Sequence, residues 1–393
     1  MTMLKNLLKK LQLLCLIGLA CLNLTAFAHG GHEPPSNLAI SVAFDATGNL
    51  WRVRANNAFV QVDVSHDLAK TFSKPVNVSM NAQKIVAGGE ARPKIAIGPE
   101  GNIYVAWTEL LNKPSASVIW FARSVNGGKS FENAMIVYHD RAEVAHQFEA
   151  LNVAPDGKIT LVWMDNRDGV AAIYAAASAN HGASFELEQK LSDGVCECCR
   201  IATINKPDGT VVAMWRHVFE GGERDHMLAE IPLKANQTPV LKRSTFGHWK
   251  IDGCPHHGAA LAIGGAGKDW WGYHMAYFDG NDKKPGLYYS RMDGVAWASS
   301  PAKRFGNHQH QAGHPAILSM GDKVWLVWRE ADGKNSQIFG MYSDDGGKTW
   351  QNATLLASTA GKTDYPQLLE QGNQVYLVWN TQQEGFIVSL ITK

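Results

Sequence analysis

SDDGGKTW, Ser343–Trp350, decides the fold, because three other stretches repeat it: SHDLAKTF (Ser65–Phe72), SVNGGKSF (Ser124–Phe131) and SANHGASF (Ser178–Phe185). A worn relative, SRMDGVAW, lies at Ser290–Trp297. The shared form is Ser-x-Asp/Asn-x-Gly-x-Ser/Thr-aromatic. An Asp or Asn side chain accepts backbone N–H bonds inside a tight turn, and a Gly tolerates the positive φ that such a turn requires. The aromatic residue is expected to fold back under the hairpin. Recurrence at this level predicts a repeat architecture.

Working outward, each octapeptide follows an alternating apolar run that ends in Trp. These runs are GNIYVAW (Gly101–Trp107), GKITLVW (Gly157–Trp163), GTVVAMW (Gly209–Trp215), DKVWLVW (Asp322–Trp328) and NQVYLVW (Asn373–Trp379). GNLWRV (Gly48–Val53) and KDWWGYHMAY (Lys268–Tyr277) are looser versions. A short strand signal precedes each run, as in RPKIAI (Arg92–Ile97), and another follows, as in SVIWFARS (Ser117–Ser124). The period is roughly fifty residues, with strands of about five to eight residues between Gly, Asn and Asp turns. Four strands per unit predict an all-β fold, a β-propeller of four-stranded antiparallel blades. The Trp-ended runs predict seven blades. Six is the alternative, because the fourth repeat (Cys199–Leu233) lacks an octapeptide and the seventh stops after its third strand at Ile387–Ile391. The N-terminal segment is expected to supply the missing outer strand.

Composition fits a large core: 393 residues, 45% hydrophobic, with 13 Trp and 37 Gly. Lys5, Lys9 and Lys10, the apolar stretch Leu11–Leu24 and the small-x-small Ala26-Phe27-Ala28 read as a signal peptide over 1–28, cleaved before His29. Residues 29–393 are then expected to form a single propeller domain, periplasmic or secreted. The apolar run is short for a membrane span. The formal charge is +1, and less the three leader lysines it is −2. Without a basic stripe, nucleic acid is excluded as a partner. The open partners are a small ligand or metal ion in the funnel and another exported protein.

Export changes how the cysteines read. Cys196, Cys198 and Cys199 lie in GVCECCR and Cys254 in DGCPHHG. An even count outside the cytoplasm predicts disulfides, with Cys254 bridging the fourth and fifth repeats to one of the cluster. The other reading is a metal site of soft thiolates and imidazoles, with His256 and His257 as the neighbouring donors and copper favoured over zinc. Mature His29-Gly30-Gly31-His32 would also be a competent Cu(II) chelator. His308-x-His310 is a further candidate pair, or plain loop.

Aligned repeats place distinctive residues near the start of most first strands: Arg92, His146, Cys199 with Arg200, His256 with His257, His314, and Asp364 with Tyr365. First strands are innermost in a propeller, so these positions are expected to ring one mouth of the central funnel. His217 and the Arg224-Asp225-His226 trio flank the third strand of the fourth repeat and are expected to join from the side. Arg200, His217, His226 and His314 are thus the candidate ligand-binding residues. A polar channel of water-tolerant residues is the plainer alternative.

The octapeptides resemble the Asp-box, or bacterial neuraminidase, repeat, and the propeller built from them is similar to the sialidase superfamily over nearly the whole mature chain. VCECCRIA (Val195–Ala202), WRHVF (Trp215–Phe219) with RDH (Arg224–His226), and WKIDGCPHHG (Trp249–Gly258) resemble an exported bacterial sialidase-like group. The resemblance implies a glycoside hydrolase with three arginines on a substrate carboxylate, a Tyr activated by a Glu, and an Asp acid/base. Arg92 in Ala-Arg-Pro matches the family's Phe/Tyr-Arg-Ile-Pro arginine, and Arg329 and Tyr365 follow in plausible order as the remaining catalytic candidates. Where an Asp is expected, Trp107–Val118 offers only Glu109, and the middle Glu–Arg pair is absent unless Glu223 and Arg224 serve.

Three classes follow: a binding propeller holding a soft metal, an exo-α-sialidase or other hydrolase of an anionic sugar, and a structural or assembly propeller. The fold hosts all three.

Overall fold

The computed structural model of the chain describes residues 37–232 and 237–391. They form seven antiparallel sheets, six of four strands and one of three, with neighbouring strands consecutive along the chain. In blade one these strands are Ile40–Phe44, Leu50–Asn56, Phe59–Ser65 and Val76–Asn77. The first strand of each blade packs against that of the next, and the first strand of blade seven (Gln367–Gln371) packs against Ile40–Phe44. First strands therefore line the axis, and the ring closes at seven rather than six. Three one-turn 3₁₀ helices are the only helices among the described residues.

The second strands carry the core. Alternation places Trp107, Trp163, Trp215, Trp328 and Trp379 in fully buried positions. Each indole packs on the preceding blade: Trp107 joins Val53 and Val62, Trp163 joins Tyr104 and Phe121, and Trp379 joins Val327 and Ile338. Blade five has Tyr277 at this place and blade one has Arg54, which pairs with Asp63 at 3.2 Å. The wedge between blades is thus apolar and continuous for most of the ring.

Each octapeptide joins strands three and four. Ser343 Oγ accepts from Gly347 N at 2.9 Å, Asp345 Oδ1 accepts from Thr349 N at 2.9 Å, and Thr349 Oγ1 donates to Asp345 Oδ2 at 2.7 Å. The same pattern recurs at Ser65–Asp67–Thr71, Ser124–Asn126–Ser130 and Ser178–Asn180–Ser184. The terminal aromatics reach back to the preceding blade: Phe185 meets Phe121 at 5.0 Å, Trp350 meets Tyr289 at 4.8 Å, and Phe72 meets Phe386 at 5.7 Å across the closure.

Blade seven has three strands among the described residues, ending at Gly385–Leu390. The leader, the His29–His32 chelator and the strand expected from the N-terminal segment lie outside the described residues. Closure among the described residues is made instead at the inner strands. Arg92 Nη1 donates to Ile40 O of blade one at 2.8 Å and to Asp364 Oδ2 of blade seven at 2.5 Å. Gln367 Nε2 and Asn380 Nδ2 donate to Ile40 O and Leu38 O at 3.0 and 2.9 Å.

Candidate metal centre and the axial ring

Register identifies the residues that share the axial position. The residue before each Trp pairs with Lys94, Ala150, Ala202, Ala316 and Gln367, and Ala276 pairs with Ala260 in blade five. Two residues earlier stand Arg92, Phe148, Arg200, Gly258, His314 and Tyr365. Arg92, Arg200, His314 and Tyr365 share this position, whereas blade five has Gly258 there rather than His256 or His257, and blade three has Phe148 rather than His146. There a bulge shifts the register between Val162 and Met164, Phe148 takes φ 57°, and His146 falls two residues short of the ring. His146 is buried instead between blades two and three, stacked on Tyr138 at 4.3 Å, with Asp140 and Asp165 at 3.3 and 3.5 Å from Nε2.

One carboxylate organises this ring. Glu90 is buried at 4% exposure and accepts four hydrogen bonds: Arg200 N (3.1 Å) and Gly258 N (2.8 Å) on Oε2, Arg200 Nη1 (2.9 Å) and His314 Nδ1 (2.9 Å) on Oε1. Burial pushes its carboxyl up, but Arg200 and His314 outweigh burial and hold it well below the usual carboxylate range. His314 stacks on Tyr365 at 3.4 Å and lies 5.0 Å from His257, which in turn stacks on Phe278 at 4.1 Å. Gly258 is required by contact, since a Cβ there would lie 2.1 Å from Arg200 Cγ. Nothing in the repeats pointed to Glu90: no other repeat has an acidic residue at its place, and its partners come from three blades.

The sulfur centre lies in the two connectors that lead into blades four and five. Cys196, Cys198 and Cys199 follow the outer strand of blade three (Gln189–Asp193); Cys254 and His256 follow that of blade four (Val240–Arg243). Blade four holds both connectors. Arg216 O accepts from Cys196 N at 3.0 Å, Arg216 Nη2 donates to His257 O at 3.1 Å, and Arg224 N donates to Trp249 O at 2.6 Å. The two loops thereby meet.

Cys196 Sγ stands 3.7 Å from Cys198 Sγ, and Cys198 Sγ stands 3.8 Å from Cys199 Sγ. Cys196, Cys198 and Cys199 form one group of donors within 4.8 Å of one another, and Cys198, Cys254 and His256 form a second. Four thiolates at about 2.3 Å from one ion would be spaced by about 3.8 Å, the edge of that tetrahedron. The two sulfur–sulfur distances within the Cys196–Cys199 loop lie close to that edge, and Cys196, Cys198, Cys199 and Cys254 are free thiols. No disulfide is formed at these distances, as a sulfur–sulfur bond needs about 2.05 Å. Three of the sulfurs are buried and Cys254 is exposed, so the centre has a wet side and a dry side.

The centre splits its thiols: Cys196 and Cys254 are pushed down, while Cys198, which donates to its neighbours, and the buried Cys199 are pushed up. Hydrogen bonds from Cys198 and Cys199 lower the Cys196 thiol to about 3, with Arg216 and Arg224 adding positive field. A hydrogen bond from Cys198 lowers Cys254 to about 7, while burial pushes Cys199 up to about 12. A cation bound among them would favour the thiolate form of each ligand.

Cys196, Cys198, Cys199, Cys254 and His256 are thus brought together. His257 stands outside both donor groups, in the axial cluster. His217 pairs its backbone with Val195 beside the cysteine loop, but its ring meets Phe219 at 4.5 Å, and burial lowers it to about 4. His226 is buried against Tyr277, with Nδ1 3.2 Å from Thr245 Oγ1. Arg92 and Tyr365 are neighbours, the guanidinium 6.0 Å from the phenol ring, but Arg92 is occupied by Asp364, Ile40 O and Gly89 O. Arg329 lies on the second strand of blade six and donates from Nη2 to Ser336 Oγ at 3.0 Å. His308 and His310 fall on a one-turn 3₁₀ helix, with His310 3.7 Å from Glu330.

No family model and no curated protein matches the chain. Solved structures do. An ulvan lyase of a polysaccharide lyase family is 10% identical, covering 93% of this chain and 94% of its own, with TM-score 0.57. An α-L-arabinofuranosidase from Fusarium graminearum is 12% identical over 84% of this chain and 97% of its own, with TM-score 0.50. The NanB sialidase from Streptococcus pneumoniae is 8% identical over 78% and 67%, with TM-score 0.49. The likenesses to the lyase and the arabinofuranosidase show a shared fold. Among the described residues, no helix is long and apolar enough to cross a membrane.

Proposed function

We propose that this chain is an exported propeller that binds a soft transition metal, copper as Cu(I), at Cys196, Cys198, Cys199, Cys254 and His256. The observation that supports this reading is the convergence of two connectors on two groups of soft donors that share Cys198, each group lying within 4.8 Å. Thiolate and imidazole donors select soft ions over hard ones. The leader over 1–28 supports export, and an unbridged cysteine group outside the cytoplasm is best accounted for by a bound ion. Metal analysis of the full-length protein isolated from the periplasmic fraction, followed by competition against a Cu(I) chelator, tests it. Protein that carries no metal and takes none up at micromolar concentration sinks the reading.

A second reading, a sialidase-like glycoside hydrolase acting on an anionic sugar, draws on the fold shared with sugar-active propellers and on Arg92 beside Tyr365. Against it, the Arg92 guanidinium already holds a carboxylate of the protein itself. Turnover of a fluorogenic sialoside, lost in Tyr365→Phe, would restore it.

A further inference from the structure

The five donors divide in an informative way. They do not form one group: Cys196, Cys198 and Cys199 make one triad, Cys198, Cys254 and His256 make another, and only Cys198 belongs to both. A single tetrahedral ion needs four donors all about 3.8 Å apart. Among the described residues the donor groups here stop at three. A three-donor set suits a low-coordinate monovalent soft ion, and thiolate ligands select Cu(I).

We propose that the centre holds two monovalent soft ions, Cu(I), bridged by the Cys198 thiolate, a deepening that rests on the metal-binding reading above. The buried ion is held by Cys196, Cys198 and Cys199, and the outer ion by Cys198, Cys254 and His256. Cys198 is the one sulfur placed to serve both, with Sγ 3.7 Å from Cys196 and 3.8 Å from Cys199 on one side and Cys254 with His256 on the other. Thiol protons leave to solvent as the ions bind, and nothing is oxidised because the metal arrives already as Cu(I). The difference in exposure orders the two: Cys254 is open to solvent, while Cys196 and Cys199 are not. The outer ion is therefore the exchangeable one, and the centre takes up and gives back metal from the Cys254 side.

The test uses the reduced full-length chain and Ag(I), a redox-inert monovalent soft ion, read by native mass spectrometry. Two ions per chain are expected for the native sequence and one for Cys254→Ser or His256→Ala, with unchanged circular dichroism. Cys198→Ser is expected to lose both at the Ag(I) concentration that saturates the native chain. A Cu(I)-loaded sample should show a metal–metal shell in its X-ray absorption spectrum. Saturation at one ion overturns the two-ion centre while leaving the metal-binding reading intact. Binding of none overturns both. Two ions with no metal–metal shell, or two retained by Cys198→Ser, overturn the bridge.

Discussion

Glu90 and Arg200, 110 residues apart, meet twice: the carboxylate accepts from the Arg200 backbone N at 3.1 Å and from its guanidinium at 2.9 Å. The same carboxylate accepts from Gly258 N. Arg200 follows Cys199 directly, and Gly258 lies two residues after His256, so one side chain fixes the downstream ends of both donor loops. Glu90→Gln keeps the shape and removes the charge. Outer-shell partners of this kind are worth about 10–100-fold in metal affinity. We expect Ag(I) affinity to fall by about that factor in protein that is still folded by circular dichroism, with Glu90→Asp recovering part of it. Unchanged affinity in folded Glu90→Gln would reduce Glu90 to a fastener of the ring.

Arg92 joins blades one and seven to the loop that enters blade two. Removing one partner of a buried ion pair costs about 3–5 kcal/mol. Arg92→Ala should therefore lower unfolding stability by about that amount and expose the closure between blades one and seven to limited proteolysis. Cleavage elsewhere in the ring, with the closure intact, would contradict this role.

The buried tryptophans predict a different signature. Trp163→Ala removes an indole from the wedge between blades two and three and should cost about 3–5 kcal/mol. Denaturant titration measures it, and metal stoichiometry should not change in variants that still fold.

In the octapeptide turn, Asp345→Ala loses bonds to Thr349 and should cost about 1 kcal/mol. Gly347→Ala should cost more. Its φ is +77°, and a Cβ would lie 1.8 Å from Tyr289 Oη, so the turn must leave the preceding blade. Equal costs for the two variants would show that the wedge at Gly347 yields.

Acid sensitivity follows from His226, His257 and His274. Burial holds all three imidazoles below the ordinary 6.5, to about 3 for His257 and His274. Below 6.5 the unfolded chain binds protons that the folded chain refuses, so their contribution to stability is complete above 6.5. It is lost as pH falls toward about 3, at up to about 1.4 kcal/mol per unit for each group. His274 Nδ1 meets Tyr289 Oη at 2.6 Å and its Nε2 is buried without a partner, so a proton there finds no counter-charge. His274→Gln should be less stable at neutral pH and flatter between pH 6.5 and about 4 in thermal melts. An undiminished slope would assign the acid loss to other groups.

Local signals in the sequence determined the blades. A Trp-ended alternating run and a Ser-x-Asp turn each act over a few residues, through side-chain periodicity and turn hydrogen bonds, and both are readable without knowing what lies beside them. That was enough for seven blades, the buried tryptophans and most of the axial ring. The convergence of Cys196, Cys198, Cys199, Cys254 and His256 was legible only as a candidate, because spacing along the chain could not say which loop ends meet. His146 and His257 show the limit: a bulge of one residue moved the first out of the ring, and stacking on Phe278 took the second from the metal donors into the axial cluster. Glu90 belonged wholly to the tertiary structure. Its four bonds join blade two to blades four, five and six, and a buried carboxylate is specified by the donors around it rather than by its own neighbours in sequence. Ring closure is the physical reason, since it sets the first strands side by side and turns residues more than a hundred positions apart into neighbours.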